Sequence, residues 1–219
     1  KGNYANFLNG IGKWEEAGPM YQQVAQGWEK LRGKESEDYL LARHNMAVYL
    51  QDLGQFTEAK NMLEQTRKVL LEVTGSKSLL MLALNENLAG IYSSEKQYKK
   101  ALQLYQEVYE INKDQYASES VDLADILSKM AMCYTNLDQP DKGLDLLEQA
   151  YAMKVKLLGK DDPDLSYELT LIGTSYTYRK DYKKGLEYYI EAKRLIEKGF
   201  GTYFRFMTEQ EKLKFLQTK

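Results

Sequence analysis

Residue types that carry catalysis or bind metals are scarce in this 219-residue chain, which has one histidine and one cysteine. His44 and Cys133 are the only possible Cys–His pair. They are too few for a Cys/His zinc site, just as one cysteine is too few for an intrachain disulfide. The sequence also lacks a glycine-rich phosphate loop, a serine-centred nucleophile motif and carboxylates at metal-ligand spacing. These observations predict a segment that is not an enzyme and holds no cofactor or metal.

The 18 tyrosines are the next residues with chemistry to offer, because aromatic rings can stack on single-stranded nucleic acid. The charge balance argues against that function. Thirty basic and 32 acidic side chains give a net charge of −2, so no basic field exists to hold a phosphate backbone or an anionic membrane. The lysine pairs at 99–100 and 183–184 are isolated and have acidic neighbours. We therefore expect neither nucleic acid nor a membrane as a partner.

An internal repeat sets the elements that must position these residues. Small residues recur every 42 positions, at Ala5, Ala47, Ala89, Ala131 and Gly173. Offsets are counted from these origins. Large residues recur at offsets +3, +9 and +16, and a second set of small residues recurs at +12, at Ala17, Ala59, Ala101, Gly143 and Gly185. Five periods without an insertion make chance agreement implausible.

The columns predict two helices in each repeat, since offsets 0 and +3 share one helical face and offsets +9, +12 and +16 share another. We name them helix A and helix B. The A helices are predicted at about 3–11, 37–53, 77–94, 119–137 and 163–179. The B helices are predicted at about 14–31, 56–72, 98–116, 140–158 and 182–199. Small residues at 0 and +12 let the two helices approach closely, and glycine at +28 ends helix B.

This column pattern resembles the tetratricopeptide repeat, whose usual period is about 34 residues. The longer period resembles the kinesin-light-chain type, in which both helices are lengthened. Trp14-Glu-Glu-Ala17-Gly-Pro19-Met-Tyr21 is similar to the Tyr-Glu-Glu-Ala-Glu-Pro-Leu-Tyr segment of that type. Leu158-Gly159-Lys160-Asp161-Asp162-Pro163-Asp164 is similar to its Leu-Gly-x-x-His-Pro-Asp segment, with Asp162 in place of the histidine. HEAT-type repeats have a similar period but not this column pattern.

The resemblance implies an all-α, right-handed superhelical solenoid of five antiparallel helix-pair repeats over residues 1–201, followed by a C-terminal helix. Residues 202–219 depart from the columns, and Thr208-x-x-Glu211 is a capping-box pattern that predicts a last helix at about 208–218. The stretch from Tyr203 to Phe215 resembles the segment after the last repeat in bacterial proteins that join such repeats to a CHAT-type caspase-like protease domain. An ordinary amphipathic capping helix is the alternative.

The remaining candidate site is the concave groove that the A helices line in this fold. Offsets −3, +1, +4 and +5 point into it, and their side chains are mostly small, polar and uncharged. Amide and hydroxyl groups suit hydrogen bonds to an extended peptide, whereas a lysine or arginine clamp for a C-terminal carboxylate is missing. With Tyr167 one turn earlier, the candidate residues are Asn6, Asn9, His44, Val48, Gln51, Asp52, Glu86, Gly90, Ser93, Ser94, Ser128, Met132, Thr135, Asn136, Tyr167, Thr170, Thr174, Thr177 and Tyr178. The alternative is that solvent fills this groove and a partner binds elsewhere.

The repeat also separates the one histidine from the one cysteine. His44 lies at offset −3 of the second repeat and Cys133 at +2 of the fourth. Stacked helices lie roughly 8–10 Å apart, so a displacement of two repeats, which is four helix layers, predicts a separation on the order of 20 Å or more. Phe7, Tyr49 and Ile91 share the column of Cys133, which predicts a small buried hydrophobe. His44 is predicted in the groove or on the surface.

The leading functional hypothesis is a protein- or peptide-binding scaffold that senses or holds a partner. If the tail resemblance holds, it would regulate a CHAT-type protease domain in the same polypeptide. A cargo or assembly adaptor like kinesin light chains and a receptor for a short signalling peptide stay open. The first residue, Lys1, predicts a piece of a longer protein. The absence of a signal peptide and of long apolar runs predicts a cytoplasmic location, and the sequence leaves the oligomeric state open.

Overall fold

The computed structural model describes residues 1–75, 78–115 and 119–206, and over those ranges its regular secondary structure is helical. The chain forms two compact units, Lys1–Gln115 and Tyr116–Lys219. The first contains α1 Gly2–Gly10, α2 Trp14–Arg32, α3 Glu37–Asp52, α4 Phe56–Thr74, α5 Leu79–Ser94 and α6 Tyr98–Gln115. The second contains α7 Val121–Asn136, α8 Pro140–Leu158, α9 Ser166–Tyr178 and α10 Tyr182–Phe206. Odd-numbered helices are the predicted A helices and even-numbered helices the B helices, so the predicted all-α fold is confirmed.

The A helices begin at a recurring N-cap. Ser36, Ser78 and Ser120 are spaced 42 residues apart, and each side-chain oxygen accepts a hydrogen bond from the backbone N–H three residues on. Asp162 continues the series and accepts from the N–H of Asp164. A capping oxygen satisfies one of the backbone donors that a helix start leaves without a partner. The serine caps fix where α3, α5 and α7 start, and Asp162 fixes the start of the turn that leads into α9.

The small residues of the repeat lie where helix A meets helix B, as predicted. In the first unit the origins Ala5, Ala47 and Ala89 have no exposed surface. Their partners at +12 are equally buried: Ala17, Ala59 and Ala101. Alanine at both positions leaves room for the helix axes to approach, and the larger neighbours fill the space around the contact.

The second unit builds the same contact with glycine and threonine. Gly143 and Gly185 replace alanine at +12, and a Cβ atom on either one would lie 2.6 Å from the Oγ1 atom of Thr135 or Thr177 respectively. At Gly143 it would also lie 2.9 Å from the backbone oxygen of Ala131. Only glycine permits so close an approach. The threonine fills the volume that the missing Cβ leaves.

The C-terminal boundaries differ from those predicted. Gly33, Gly75 and Gly159 end their B helices with a positive φ, as expected of glycine at +28. Gly201 does not, because α10 continues through it to Phe206 instead of ending at 199. A short 3₁₀ turn, Pro163–Leu165, precedes α9, which therefore starts at Ser166. The helix predicted at 208–218 lies outside the described residues.

Candidate functional site

Each unit has a depression where the N-terminal halves of two successive A helices face each other. The α3–α5 depression in the first unit has a volume of about 590 Å³, and the α7–α9 depression in the second about 470 Å³. Both are lined by offsets −10, −9 and −6 of the second A helix. These residues are Leu79, Leu80 and Ala83 in the first unit and Pro163, Asp164 and Tyr167 in the second. The two depressions therefore occupy equivalent places in the repeat.

The α3–α5 depression combines exposed apolar side chains with charges. Leu41 and Leu79 are 47% and 67% exposed. Glu37 and Asp38 at the start of α3 contribute carboxylates to the lining, and Arg32 at the end of α2 contributes a guanidinium. A concave apolar surface with a few polar groups at its edge is typical of ligand and peptide sites.

His44 lies beneath this depression and is 9% exposed. Its Nε2 accepts a hydrogen bond from the Asn87 amide at 2.9 Å, which leaves the ring proton on Nδ1, 3.3 Å from Oδ1 of Asn45. Burial lowers the pKa of His44 below its ordinary 6.5, and the carbonyl oxygens of Asn45 and Ala83 offset only part of that effect. A neutral imidazole therefore holds the side-chain amides of Asn45 and Asn87 in place.

A buried ion cluster lies beneath the α7–α9 depression. The Lys154 ammonium, on a side chain 5% exposed, lies 2.6 Å from Oδ1 of Asp125 and 2.9 Å from Oε1 of Glu168. Glu168 has no exposed surface, and its Oε1 also accepts a hydrogen bond from Ser128 at 3.2 Å. Burial acts to lower the pKa of Lys154, but its hydrogen bonds and attraction to Asp125 and Glu168 outweigh burial and raise it. The lysine is therefore a charged internal counter-ion.

The predicted groove residues fall into three groups by exposure. The exposed ones are Asn6, Asp52, Gly90, Ser94, Met132, Asn136, Tyr167, Thr170, Thr174 and Tyr178. The half-buried ones are Asn9, Val48, Gln51, Glu86, Ser93, Thr135 and Thr177. The buried ones are His44 and Ser128. The prediction that Ser128 lines an open groove is wrong, because its hydroxyl is committed to Glu168 and no surface is left for a partner.

Three other predicted residues face a B helix. Thr135 and Thr177 pack against Gly143 and Gly185, as described above, and Asn6 accepts a hydrogen bond from the Tyr21 hydroxyl of α2 at 2.8 Å. At Thr135 and Thr177 offset +4 therefore points into the contact between helices A and B. The prediction placed this offset on the groove because it counted only 100° per residue around helix A from the packing residue at offset 0.

Some predicted residues do meet across neighbouring A helices. In the first unit the Asn9 amide donates to Asp52 at 2.5 Å. In the second the Tyr167 hydroxyl lies 3.3 Å from the Met132 sulfur. Several hydroxyl protons are already used within their own helix. Thr170 donates to the backbone oxygen of Ser166, and Thr174 donates to that of Thr170. These side chains can therefore offer acceptors to a partner, but fewer donors than predicted.

Sequence reasoning missed two sets of residues that the columns could have revealed. Offset −2 holds asparagine in three successive repeats: Asn3, Asn45 and Asn87. Offset −5 is apolar in three repeats, at Ala42, Leu84 and Ile126, and becomes Glu168 in the next. Lys154 likewise stands at offset +23, where Leu70 and Ile196 stand in other repeats. A charge that enters an apolar column signals a buried partner of opposite sign.

Within the described residues, no three histidine, cysteine or carboxylate side chains come together in a way that could hold a metal ion. None of the helices described is both long and apolar enough to cross a membrane. Cys133 has no exposed surface, as predicted. The fold and these depressions define a helical-repeat scaffold, a class whose members present surfaces to other proteins.

The tetratricopeptide repeat profile matches residues 1–72, 45–114 and 78–156. The chain belongs to the tetratricopeptide repeat family, a family of non-catalytic scaffolds for protein–protein interaction, which confirms the resemblance noted from the columns. No curated protein matches the chain. The matched residues end at 156, so the match says nothing of the 203–215 stretch.

Solved structures share the fold at low sequence identity. Repeats from Podosopora anserina named as kinesin light chain are 23% identical, with a TM-score of 0.78 over 90% of this chain and 93% of that one. BtubC (BKLC) from P. vanneervenii is 22% identical, with a TM-score of 0.80 over 90% of this chain and 78% of that one. The apo form of RapI is 14% identical, with a TM-score of 0.77 over 92% and 71%. Identities this low relate the folds alone.

Proposed function

We propose that this chain binds an extended peptide segment of another protein along the open faces of its A helices. The observation that carries the proposal is the α3–α5 depression. Leu41 and Leu79 are roughly half and two-thirds exposed there, beside two asparagines whose amides His44 holds in place. An apolar pocket can receive a side chain, and the amides can pair with the backbone of an extended segment.

Groups suited to a peptide backbone are present at this site. Asn87 uses one amide proton on His44, and Asn45 uses its carbonyl oxygen there. Asn45 lines the depression, and its amino group therefore remains as a donor there. Other predicted groove residues extend the same face toward the C-terminal ends of α3 and α5; they are Val48, Gln51, Asp52, Ser93 and Ser94. The corresponding face in the second unit has Met132, Asn136, Thr170, Thr174 and Tyr178.

The test is to select binders from a library of unstructured peptides and to measure their affinity for variants of the whole chain. Leu41→Glu with Leu79→Glu places charge in the apolar part of the depression without touching the core, and we expect about tenfold weaker binding or more. Leu71→Glu is the matched control, since Leu71 is 44% exposed on a B helix. Equal losses in the control, or none in the double variant, would remove the α3–α5 depression from the proposal.

We further propose that the chain has a regulatory role within a larger protein. The resemblance of the 203–215 stretch to the segment before a CHAT-type protease domain supports it, although most of that stretch lies outside the described residues. A histidine and a cysteine in caspase-like context after Lys219 in the full gene would support this role. A coiled-coil heptad segment before Lys1 would favour an assembly adaptor instead.

A further inference from the structure

The open faces of the A helices, with the turn that precedes α9, carry more carboxylates than basic side chains. In the first unit they bear Glu37, Asp38 and Asp52, and in the second unit Asp122, Asp125 and Asp164. Lys129 is the basic side chain on the same faces among the described residues of α3, α5, α7 and α9. The hydroxyl groups there already donate to their own helices, so they add acceptors and not donors. In the first unit the Arg32 guanidinium of α2 offsets part of this charge, whereas the face of the second unit favours a partner rich in N–H donors.

The α7–α9 depression concentrates this bias at one point. The carboxylates of Asp125 and Asp164 and the phenol ring of Tyr167 line it, and the ring is 50% exposed. Lys154 forms its floor, but two carboxylates at 2.6 and 2.9 Å already neutralise that ammonium. With Glu168 behind the floor and Lys129 at the edge, three carboxylates face two ammonium groups. The balance is one negative charge, in a cavity open to solvent.

The start of α9 opposes this charge only weakly. A helix N-terminus carries roughly half a positive charge, which would attract an anion. Here the 3₁₀ turn Pro163–Leu165 leads into α9, and the side chain of Asp162 accepts a hydrogen bond from the Asp164 N–H at 2.9 Å, so a carboxylate lies at the start of that turn. An incoming anion would also need Lys154 to leave Asp125 or Glu168, which would strand a buried charge.

We infer that the α7–α9 depression receives an arginine side chain of the extended partner, with its guanidinium between Asp125 and Asp164 and its plane on the Tyr167 ring. This inference rests on the proposed peptide-binding function and names the chemistry of the partner. Guanidinium fits better than ammonium, because it is planar, donates in two directions and stacks on aromatic rings. The partner is therefore a basic segment.

Three blocked tripeptides test the inference on the whole chain: Ac-Ala-Arg-Ala-NH₂, Ac-Ala-Lys-Ala-NH₂ and Ac-Ala-Glu-Ala-NH₂. Each is titrated into ¹⁵N-labelled protein, and amide shifts are followed in 121–129 and 163–171. We expect the arginine peptide to shift these signals with the tightest affinity, the lysine peptide to bind more weakly and the glutamate peptide most weakly. Asp164→Asn should weaken the arginine peptide about tenfold, as expected for one charge-assisted hydrogen bond.

Two matched variants separate the ring from the charge. Tyr167→Phe keeps the stacking surface and should bind the arginine peptide like the parent, whereas Tyr167→Leu should bind it more weakly. Asp145→Asn, on an exposed face of α8, should have no effect. Equal or tighter binding of the glutamate peptide, no shift with the arginine peptide, or an unchanged affinity of Asp164→Asn would overturn the inference. The peptide-binding proposal would survive those results, since its own test depends on Leu41 and Leu79 in the other unit.

Discussion

The α3–α5 and α7–α9 depressions share a place in the repeat but not a chemistry. Under the first, a neutral imidazole joins two asparagines. Under the second, one ammonium joins two carboxylates, and a serine hydroxyl donates to one of them. The repeat backbone therefore accepts different polar groups beneath the groove, provided that a buried charge has a partner of opposite charge, as Glu168 has in Lys154. The difference teaches that specificity in such a scaffold is set by a few buried polar positions, while the columns of small and large residues set the fold.

The largest effect should come from splitting the buried ion cluster. Lys154→Met removes the counter-ion of Glu168 and leaves a fully buried carboxylate unpaired, which should lower the free energy of unfolding by about 3–5 kcal/mol. Urea unfolding of the whole chain measures this. The double variant Lys154→Met with Glu168→Leu restores the apolar character of the equivalent columns, and it should recover most of the loss. An unchanged free energy of unfolding for Lys154→Met would show that the ion cluster does not stabilise the second unit.

An intermediate effect should come from the contact between helices A and B. Gly143→Ala drives a Cβ atom to 2.6 Å from Thr135 Oγ1 and 2.9 Å from a backbone oxygen that cannot move aside, so we expect a loss of about 1–3 kcal/mol. Ala89→Leu, in the corresponding contact of the first unit, should cost a similar amount. Gly90→Ala is the control, because its Cβ would meet nothing closer than 4.0 Å. A neutral Gly143→Ala variant would contradict the tight glycine–threonine contact.

The smallest effect separates the two depressions by their response to acid. Folding favours neutral His44, so below its ordinary pKa of 6.5 the unfolded chain binds more protons than the folded one. The stability that His44 contributes is present above that value and is lost as the pH falls through its lowered pKa, by at most about 1.4 kcal/mol per pH unit. The pKa of Lys154 is raised above its ordinary 10.5. The stability that this lysine contributes is therefore fully present below pH 10.5 and is lost as the pH rises through its raised pKa.

The acid response can be measured by urea unfolding at about pH 7.5 and about pH 5.5, on either side of the ordinary histidine pKa. His44→Gln keeps a polar side chain without a titrating ring, so its unfolding free energy should fall less between the two conditions than that of the parent chain. Equal falls in both would assign the acid sensitivity to carboxylates and would leave the first depression without a titrating group.

The period of 42 predicted the helices and their contacts because each column averages five observations. Ala5 and Ala131 were correctly assigned to the core for this reason. Direction around helix A was harder to predict. Offset −3 is buried at His44 and Ser128, each of which bonds to a residue of the following A helix, yet exposed at Thr170 on α9, the last A helix of the described residues. The columns mark Glu168 as a charge at an otherwise apolar offset, but they do not show that its partner is Lys154, which lies 14 residues earlier on a different helix.

The glycine–threonine contact of the second unit also constrains how this scaffold can diverge. An alanine at Gly143 collides with Thr135, whereas a serine or alanine at Thr135 only opens a small void. Shrinking the threonine removes only one of the two collisions, since a Cβ atom at Gly143 would still lie 2.9 Å from the Ala131 backbone oxygen, so the glycine can be replaced only if the two helices also move apart. Substitutions at Thr135 and Gly143, which lie on different helices, are therefore expected to depend on each other, although each column alone shows only an ordinary small residue.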